Sequence, residues 1–511
     1  MNRRPDHRPG SLNAARRERS LDHLTHRPDI DVLVIGGGVT GTGIALDAAS
    51  RGLSVVLAER HDLAFGTSRW SSKLVHGGLR YLATGDIGIA YESARERGLF
   101  MSRTAPHLVR ALPMVLPVHH DTPRLRAATT RAGFLAGDVL RLSARAGAGA
   151  LPPSRGISAA LTLALAPALR PAGLRGGQLS YDGQLTDDAR LVVALARTAA
   201  AHGAHIVTRC AAVELDGNAA ELRDELTGET LNVRARCVIN ATGVWADTLA
   251  SGVRLRPSRG THIVLPGAAL GHPRAALTVP VPGETNRFVF ALPQPDGRVY
   301  AGLTDEPLDT PVPDVPEAPE HDIEFLLRVL SGVLAAPLTR QDVIGTYAGL
   351  RPLLDSGTGR SADLSRRHAV LTSPAGVITA VGGKLTTYRA MAEDAVDAGL
   401  ARAGIAAQPC RTRSLPLIGA APAARLAALD APPRLVARYG SEAGAVLAGA
   451  ADDPGLLEPV AAGITGAELR WAVRHEGALD EGDLLDRRTR IGLVPEDRER
   501  ALPAARAALG A

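Results

Sequence analysis

Gly36, Gly38 and Gly41 fall in the pattern G-x-G-x-x-G, and Glu59 follows where a carboxylate can meet a nucleotide ribose. Together these residues can hold an adenine dinucleotide. Gly36 permits a sharp turn, Gly38 lets a pyrophosphate approach the backbone, and Gly41 lets a helix pack close to the preceding strand. The helix N-terminus then faces the phosphates. Glu59 can accept both ribose hydroxyls and would repel the extra phosphate of NADP. Beyond it, His61 to Leu82 is rich in small hydroxyl and glycine residues, among them Thr67, Ser68, Ser71, Ser72, Gly77 and Gly78. Such a segment can run beneath a flat ring and donate backbone N–H groups to phosphate.

The elements that must position these groups are legible around them. Residues 31–35, DVLVI, form a short β-branched strand that leads into the glycine turn. Ile44, Ala45, Ala48 and Ala49 recur at helical spacing, and 53–59 forms a second apolar strand ending on Glu59. The unit is β-α-β. Further on, 340–387 alternates short apolar strands with turns, whereas 421–511 shows helical spacing.

With 511 residues and a mass of 53.2 kDa, the chain can form two or three domains with large cores. Cys210, Cys237 and Cys410 are scattered, which argues against iron–sulfur clusters, structural zinc and a disulfide scaffold and fits a reducing, cytoplasmic setting. No metal site is expected. No apolar run approaches the ~18 residues of a membrane span, the nearest, 159–169, being interrupted by Pro167, and no signal-peptide core is expected at the N-terminus. The net charge is +5. Arg3, Arg4, Arg8, Arg16, Arg17, Arg19 and Arg27 crowd the start, so residues 1–29 read as a basic, disordered arm, with attraction to anionic lipid as the sharper reading. Nucleic acid is not expected as a partner, because the arm has no aromatic residues for stacking.

From GTSRWSSKLVHGGLRYL at 66–82 onward, the chain resembles the FAD-dependent glycerol-3-phosphate dehydrogenases, quinone-linked flavoenzymes of glycerol catabolism. The same resemblance continues through YDGQ and DDARL at 181–191, NATGVWAD at 240–247, RGTH at 259–262, GLTD at 302–305, GLRPL at 349–353, SRRH at 365–368, GGKLTTYR at 382–389 and DLLDRRTR at 483–490. It covers about residues 30 to 495 and implies an α/β fold with a Rossmann-like FAD-binding domain, a mixed-sheet substrate domain and a C-terminal helical cap. The FAD domain is expected from 30–105, 180–255 and 345–400, the substrate domain with a helical insertion from 106–179 and 256–344, and the cap from 405–511. The acidic, proline-rich run from Glu306 to Glu320 reads as a connecting loop.

The resemblance further implies oxidation of sn-glycerol 3-phosphate to dihydroxyacetone phosphate. Electrons would pass to quinone at the inner face of the cytoplasmic membrane, met peripherally through the cap or the arm, and a homodimer is allowed. Phosphate and substrate contacts are carried over to Arg80, Tyr81, Arg351 and Arg366, since arginine presents a permanently charged fork to a dianion. His262 is expected as the base, with His76 against the flavin; the reverse assignment stays open. Lys384 would stabilise negative charge on the reduced ring. Thr67, Ser68, Ser71, Ser72 and Lys73 are expected along the FAD phosphates and ring, Ala241, Thr242 and Gly243 near its adenosine side, and Gly383, Leu385 and Thr386 beside Lys384. Alternatives are an oxidase using O2, an amine or amino-acid oxidoreductase of the same class, an NAD-dependent dehydrogenase, and a non-catalytic flavoprotein.

Overall fold

The structure, a computed structural model, describes residues 8–27, 29–78, 86–143, 151–284, 287–308, 310–355 and 367–510, with backbone alone for 124–128. Two sheets dominate. The eight-stranded sheet runs in the order 368–372, 378–382, 230–240, 29–35, 55–58, 205–207, and strands 210–215 and 219–224 extend it from 230–240. Its central strands are parallel.

The expected β-α-β unit is its centre: strand Asp29–Ile35, helix Val39–Ser50, strand Val55–Ala58. Side chains of a strand alternate between faces, and here both faces are apolar. Val32 and Val34 join the core under helices 39–50, 188–201 and 388–403, whereas Leu33 and Ile35 join a second core with Leu24, Val207 and Leu222. Burial on both faces explains why the strand reads as a continuous apolar run.

The ten-stranded mixed sheet runs 306–307, 258–266, 298–302, 288–293, 276–280, 109–119, 174–185, 74–75, with 345–351 paired to 258–266 and 155–158 to 174–185. Helix Glu320–Ser331 covers it, burying Ile323, Leu326 and Leu330 against Ile263, Leu265 and Val289. Strands 174–185 and 345–351 both belong to this sheet, so the domain limits expected at 180 and 345 cut into it. Neither strand carries a local signal for which sheet it joins. The pairing is decided by partners distant in sequence.

The N-terminal region differs from the expected arm. Residues Ala14–His26 form a helix, capped by the Asn13 side chain, which accepts from Arg16 N–H at 2.9 Å. Arg17 is buried and donates to the carbonyls of Thr208 and Arg209 and to Asp224, while Arg16 donates to Ala200 O at 2.7 Å. Leu24 is fully buried. These arginines therefore hold the helix to the 188–201 helix and the eight-stranded sheet instead of forming a solvated tail. Their long apolar stems allow it. Residues 1–7, with Arg3 and Arg4, lie outside the described residues.

From about 410 the chain folds into helices of 5 to 15 residues with a small hairpin at 459–465. Its DLLDRRTR turn reaches back into the body: Arg487 and Arg488 both bind the buried Asp62. Among the described residues no helix is long and apolar enough to cross a membrane.

Candidate active site

A cavity of about 1390 Å³ lies between the two sheets and is lined from both. At one end stands the glycine turn. A Cβ on Gly36 would lie 2.7 Å from Ala241 O, and one on Gly41 only 1.9 Å from Gly36 O, so these positions admit no side chain. Gly38 begins the 39–50 helix, and Ser68 Oγ accepts from Val39 N–H at 2.9 Å. Glu59 sits at the end of strand 55–58 and accepts from Gly37 N–H at 2.6 Å and His61 N–H at 2.7 Å. Burial raises its carboxyl above the usual range against the pull of those two donors. Ala241, Thr242 and Gly243 form the facing wall, with the Thr242 hydroxyl donating to Asn240 at 2.7 Å.

Toward the ten-stranded sheet, Thr67, Ser71 and Ser72 line the floor. His262, on strand 258–266, is directly opposite Tyr347 on strand 345–351. The two rings stack at 4.5 Å and 7°. His262 Nε2 meets Ser72 Oγ at 2.9 Å. Burial, reinforced by the charges of Lys73 and Arg351, holds its pKa well below the ordinary value, so the ring is neutral. A neutral imidazole in a cavity can accept a proton.

His76 lines the same cavity and is half-exposed. Its Nδ1 meets Asp182 at 2.8 Å; Asp182 also accepts from Arg97 at 2.6 Å and from Gly77 N–H at 3.1 Å. Burial pushes the Asp182 carboxyl up, but Arg97 and His76 outweigh it and hold it below its usual range. The carboxylate thereby fixes the orientation of the His76 ring.

Arg351 lines the cavity from strand 345–351 and binds Asp305 and Ser258 at 3.2 and 3.3 Å and Thr304 O at 3.2 Å. Two glycines leave space for the key side chains. A Cβ on Gly260 would lie 2.4 Å from the Arg351 guanidinium, and one on Gly302 2.4 Å from the His262 ring. Lys384, with Gly383, Leu385 and Thr386 beside it in the cavity wall, donates to Ser93 Oγ at 2.9 Å.

Gly41 takes the packing place expected of it, and Lys73 stands away from the cofactor side. Gly41 packs beneath the turn and does not line the cavity. Lys73 is fully buried behind the floor, donating to Asp188 at 2.9 Å and to Arg69 O at 2.7 Å, with its ammonium 4.7 Å over the Tyr347 ring. Burial lowers its pKa to about 8 although Asp188 pulls it up. The left-handed backbone at Lys73 (φ 58°) accompanies this inward turn. Arg80, Tyr81 and Arg366 lie outside the described residues.

Asp182, Asp188 and Tyr347 were not assigned roles from the sequence. Asp182 and Asp188 sat within the YDG and DDARL segments as motif letters; their partners lie about a hundred residues away. Asp188 accepts from Ser71 N–H at 2.9 Å and Ser71 Oγ at 2.7 Å as well as from Lys73, so it anchors the cavity floor from below.

The closely approached glycine turn, the helix start behind it and the facing wall at 241–243 fit the adenosine and pyrophosphate of FAD, and the cavity continues past them toward His262 and Lys384. Fold and site define an FAD-dependent oxidoreductase. Residues 31–389 match the family model described as FAD dependent oxidoreductase, and 410–511 match the C-terminal domain of alpha-glycerophosphate oxidase. Within that class, the chain belongs to the glycerol-3-phosphate dehydrogenase family, and its cofactor is FAD. It is 56% identical to glycerol-3-phosphate dehydrogenase 1 of Mycobacterium tuberculosis, over 97% of this chain and 98% of that one. A mitochondrial glycerol-3-phosphate dehydrogenase of Arabidopsis thaliana is 35% identical, over 94% and 82% of the two chains. The FAD-complexed crystal structure of the Bacillus halodurans glycerol-3-phosphate dehydrogenase superposes with a TM-score of 0.75 at 28% identity, covering 98% of this chain and 94% of that one.

Proposed function

We propose that the protein oxidises sn-glycerol 3-phosphate to dihydroxyacetone phosphate and passes the electrons to a membrane quinone. The observation that carries this reading is the convergence of a neutral histidine, an arginine and a lysine in one cavity with the FAD-type glycine turn. FAD, when bound, supplies a two-electron acceptor for the carbinol hydride.

The chain's residues do the remainder. His262 takes the hydroxyl proton, its ring held by Ser72 on one edge and by Tyr347 on its face. The neutrality imposed by burial and by the Lys73 and Arg351 charges supports this role. His76, held in orientation by Asp182, would lie against the flavin when it is bound. Arg351, with Arg80, Tyr81 and Arg366, holds the phosphate dianion, and the Asp305 contact keeps the Arg351 guanidinium in the cavity wall. Lys384 offsets negative charge that develops on electron transfer.

The acceptor is the finer point. The Mycobacterium tuberculosis and Arabidopsis thaliana relatives, 56% and 35% identical, are named dehydrogenases, whereas the glycerophosphate oxidase of Mycoplasma pneumoniae, 18% identical at a TM-score of 0.55, shares the fold alone. Steady-state oxidation of glycerol 3-phosphate with a short-chain quinone, beside peroxide yield in air, tests the assignment. The quinone is expected to support turnover with little peroxide. One peroxide per product with no quinone reduction would make the protein an oxidase.

A further inference from the structure

Helix Arg124–Ser143 is a wall of the active-site cavity on one stripe and is apolar and open on another. Thr130, Gly133, Gly137 and Arg141 line the cavity. On the other stripe, at helical spacing, Leu135, Val139 and Leu142 are 52%, 67% and 56% exposed, and the exposed Arg131 stands one turn before them. The neighbouring helix, Ile87–Leu99, repeats the pattern with Ile87 64% and Tyr91 40% exposed. Exposed large apolar side chains clustered on two packed helices mark a contact surface.

Charge says what kind. Residues 103–175 hold ten arginines, two aspartates and no lysine or glutamate, a net +8 within a chain whose total is +5. The rest of the chain is therefore net acidic. Arg103, Arg155, Arg170 and Arg175 of this segment are exposed. Ser154 N–H donates to Asp138 of the helix at 2.8 Å, which sets Arg155 beside it. A helix with an apolar stripe inside a segment of net +8, in a chain whose remainder sums to a slightly negative charge, has the chemistry of an interfacial element on anionic lipid.

We propose that helix 124–143 seats on an anionic bilayer, with Leu135, Val139 and Leu142 in the headgroup boundary and the surrounding arginines on lipid phosphates. The proposal rests on the reading of a membrane quinone as acceptor and identifies the surface that meets it. This surface lies outside both the cap and the N-terminal arm, where membrane contact is expected from sequence, and Arg16 and Arg17 of that arm are engaged within the fold. Because the same helix walls the cavity, docking brings the site beside the lipid phase that holds the acceptor.

The test uses the purified holoenzyme with vesicles of phosphatidylcholine alone or mixed with phosphatidylglycerol. Wild type is compared with the double variant Leu135→Glu, Val139→Glu and with Arg131→Glu, none of which lines the cavity. Wild type is expected to sediment with the anionic vesicles and to be released by salt. The double variant should lose partitioning by about tenfold or more, and Arg131→Glu by a smaller factor. Both should keep wild-type oxidation of glycerol 3-phosphate with a water-soluble dye. Double-variant protein that keeps dye activity and sediments like wild type overturns the proposal, as does a wild-type dimer that the variant splits with no change in vesicle binding. Wild type that reduces a soluble quinone but binds no vesicle overturns the docking surface and leaves the acceptor reading standing. Wild type that binds vesicles but reduces no quinone contradicts the acceptor reading and leaves the surface.

Discussion

His262 owes its chemistry to where it is buried. It lies 2% exposed with its ring on Tyr347, so a charge there would lose hydration, and Lys73 and Arg351 repel it further; a hydrogen bond to the Gly260 backbone offsets only part of this. Replacing it by Asn should lower the limiting rate of anaerobic flavin reduction by about 10²–10⁴-fold, the usual worth of a positioned base. His76→Asn should act mainly on substrate KM. If His262→Asn reduces its flavin at wild-type rate and His76→Asn does not, the two roles are reversed. The depressed pKa also sets a pH dependence. Above the ordinary value of about 6.5 the ring is neutral in both folded and unfolded chains; below it the unfolded chain takes up the proton first, and stability falls as pH drops toward the folded value. Thermal melts on acidification should therefore show a smaller loss of Tm for His262→Asn than for wild type. At saturating substrate, the wild-type reduction rate should show no inflection at about 6.5; an inflection there would mean that the base titrates normally.

Glycines of two strands set how closely the working side chains approach the sheet. Gly302 faces His262 across the pairing of strands 258–266 and 298–302, and a Cβ there would strike the ring at 2.4 Å. Gly302→Ala should displace His262 and slow flavin reduction by about tenfold or more while FAD content stays near wild type, since misplacing a reacting group by a fraction of an ångström is costly. Full activity in this variant would show that the ring has room to move. The elements that carry this geometry differ in how legible they were. The glycine turn, its flanking strands and the GGKLTTYR corner are contiguous in sequence, and their chemistry could be read directly. The pairing of His262 with Tyr347, of His76 with Asp182 and of Ser71 with Asp188 depends on the register between strands and turns about a hundred residues apart. Lys73 was misread for a related reason. A polar segment beneath a ring alternates its side chains, and the residue after Ser72 turns inward to the charge on Asp188. Helix 14–26 was hidden by its arginines, although Arg17, Ser20 and Leu24 recur at helical spacing and are the residues it buries.

Across the whole molecule, the C-terminal unit locks the site from behind. Arg487 and Arg488 share Asp62 in the loop after Glu59, Arg190 makes a two-pronged pair with Glu476, and Arg490 lies near Asp187 and Asp188 with its guanidinium 5.2 Å over Tyr300. Asp62 is 1% exposed; burial pushes its carboxyl up, but Arg488 and Arg487 outweigh this and hold it below the usual range. A buried pair broken on one side leaves an uncompensated charge, which costs ~3–5 kcal/mol. Arg488→Met should lower unfolding stability by about that amount and loosen FAD, because the turn it anchors leads directly from Glu59 to the cavity floor; unchanged stability would show that Arg487 alone suffices. This connection runs through residues more than four hundred positions apart, beyond the reach of local pattern. One cavity, floored by Thr67, Ser71 and Ser72 and backed by Asp188 and Arg490, is where the proposed oxidation of a phosphorylated secondary alcohol takes place. The most direct test of that oxidation is anaerobic titration of the purified yellow holoenzyme with sn-glycerol 3-phosphate, followed by the visible flavin band and by assay of product. The account predicts complete bleaching with one dihydroxyacetone phosphate formed per flavin; a flavin that stays oxidised with glycerol 3-phosphate yet bleaches with an amino acid would contradict it.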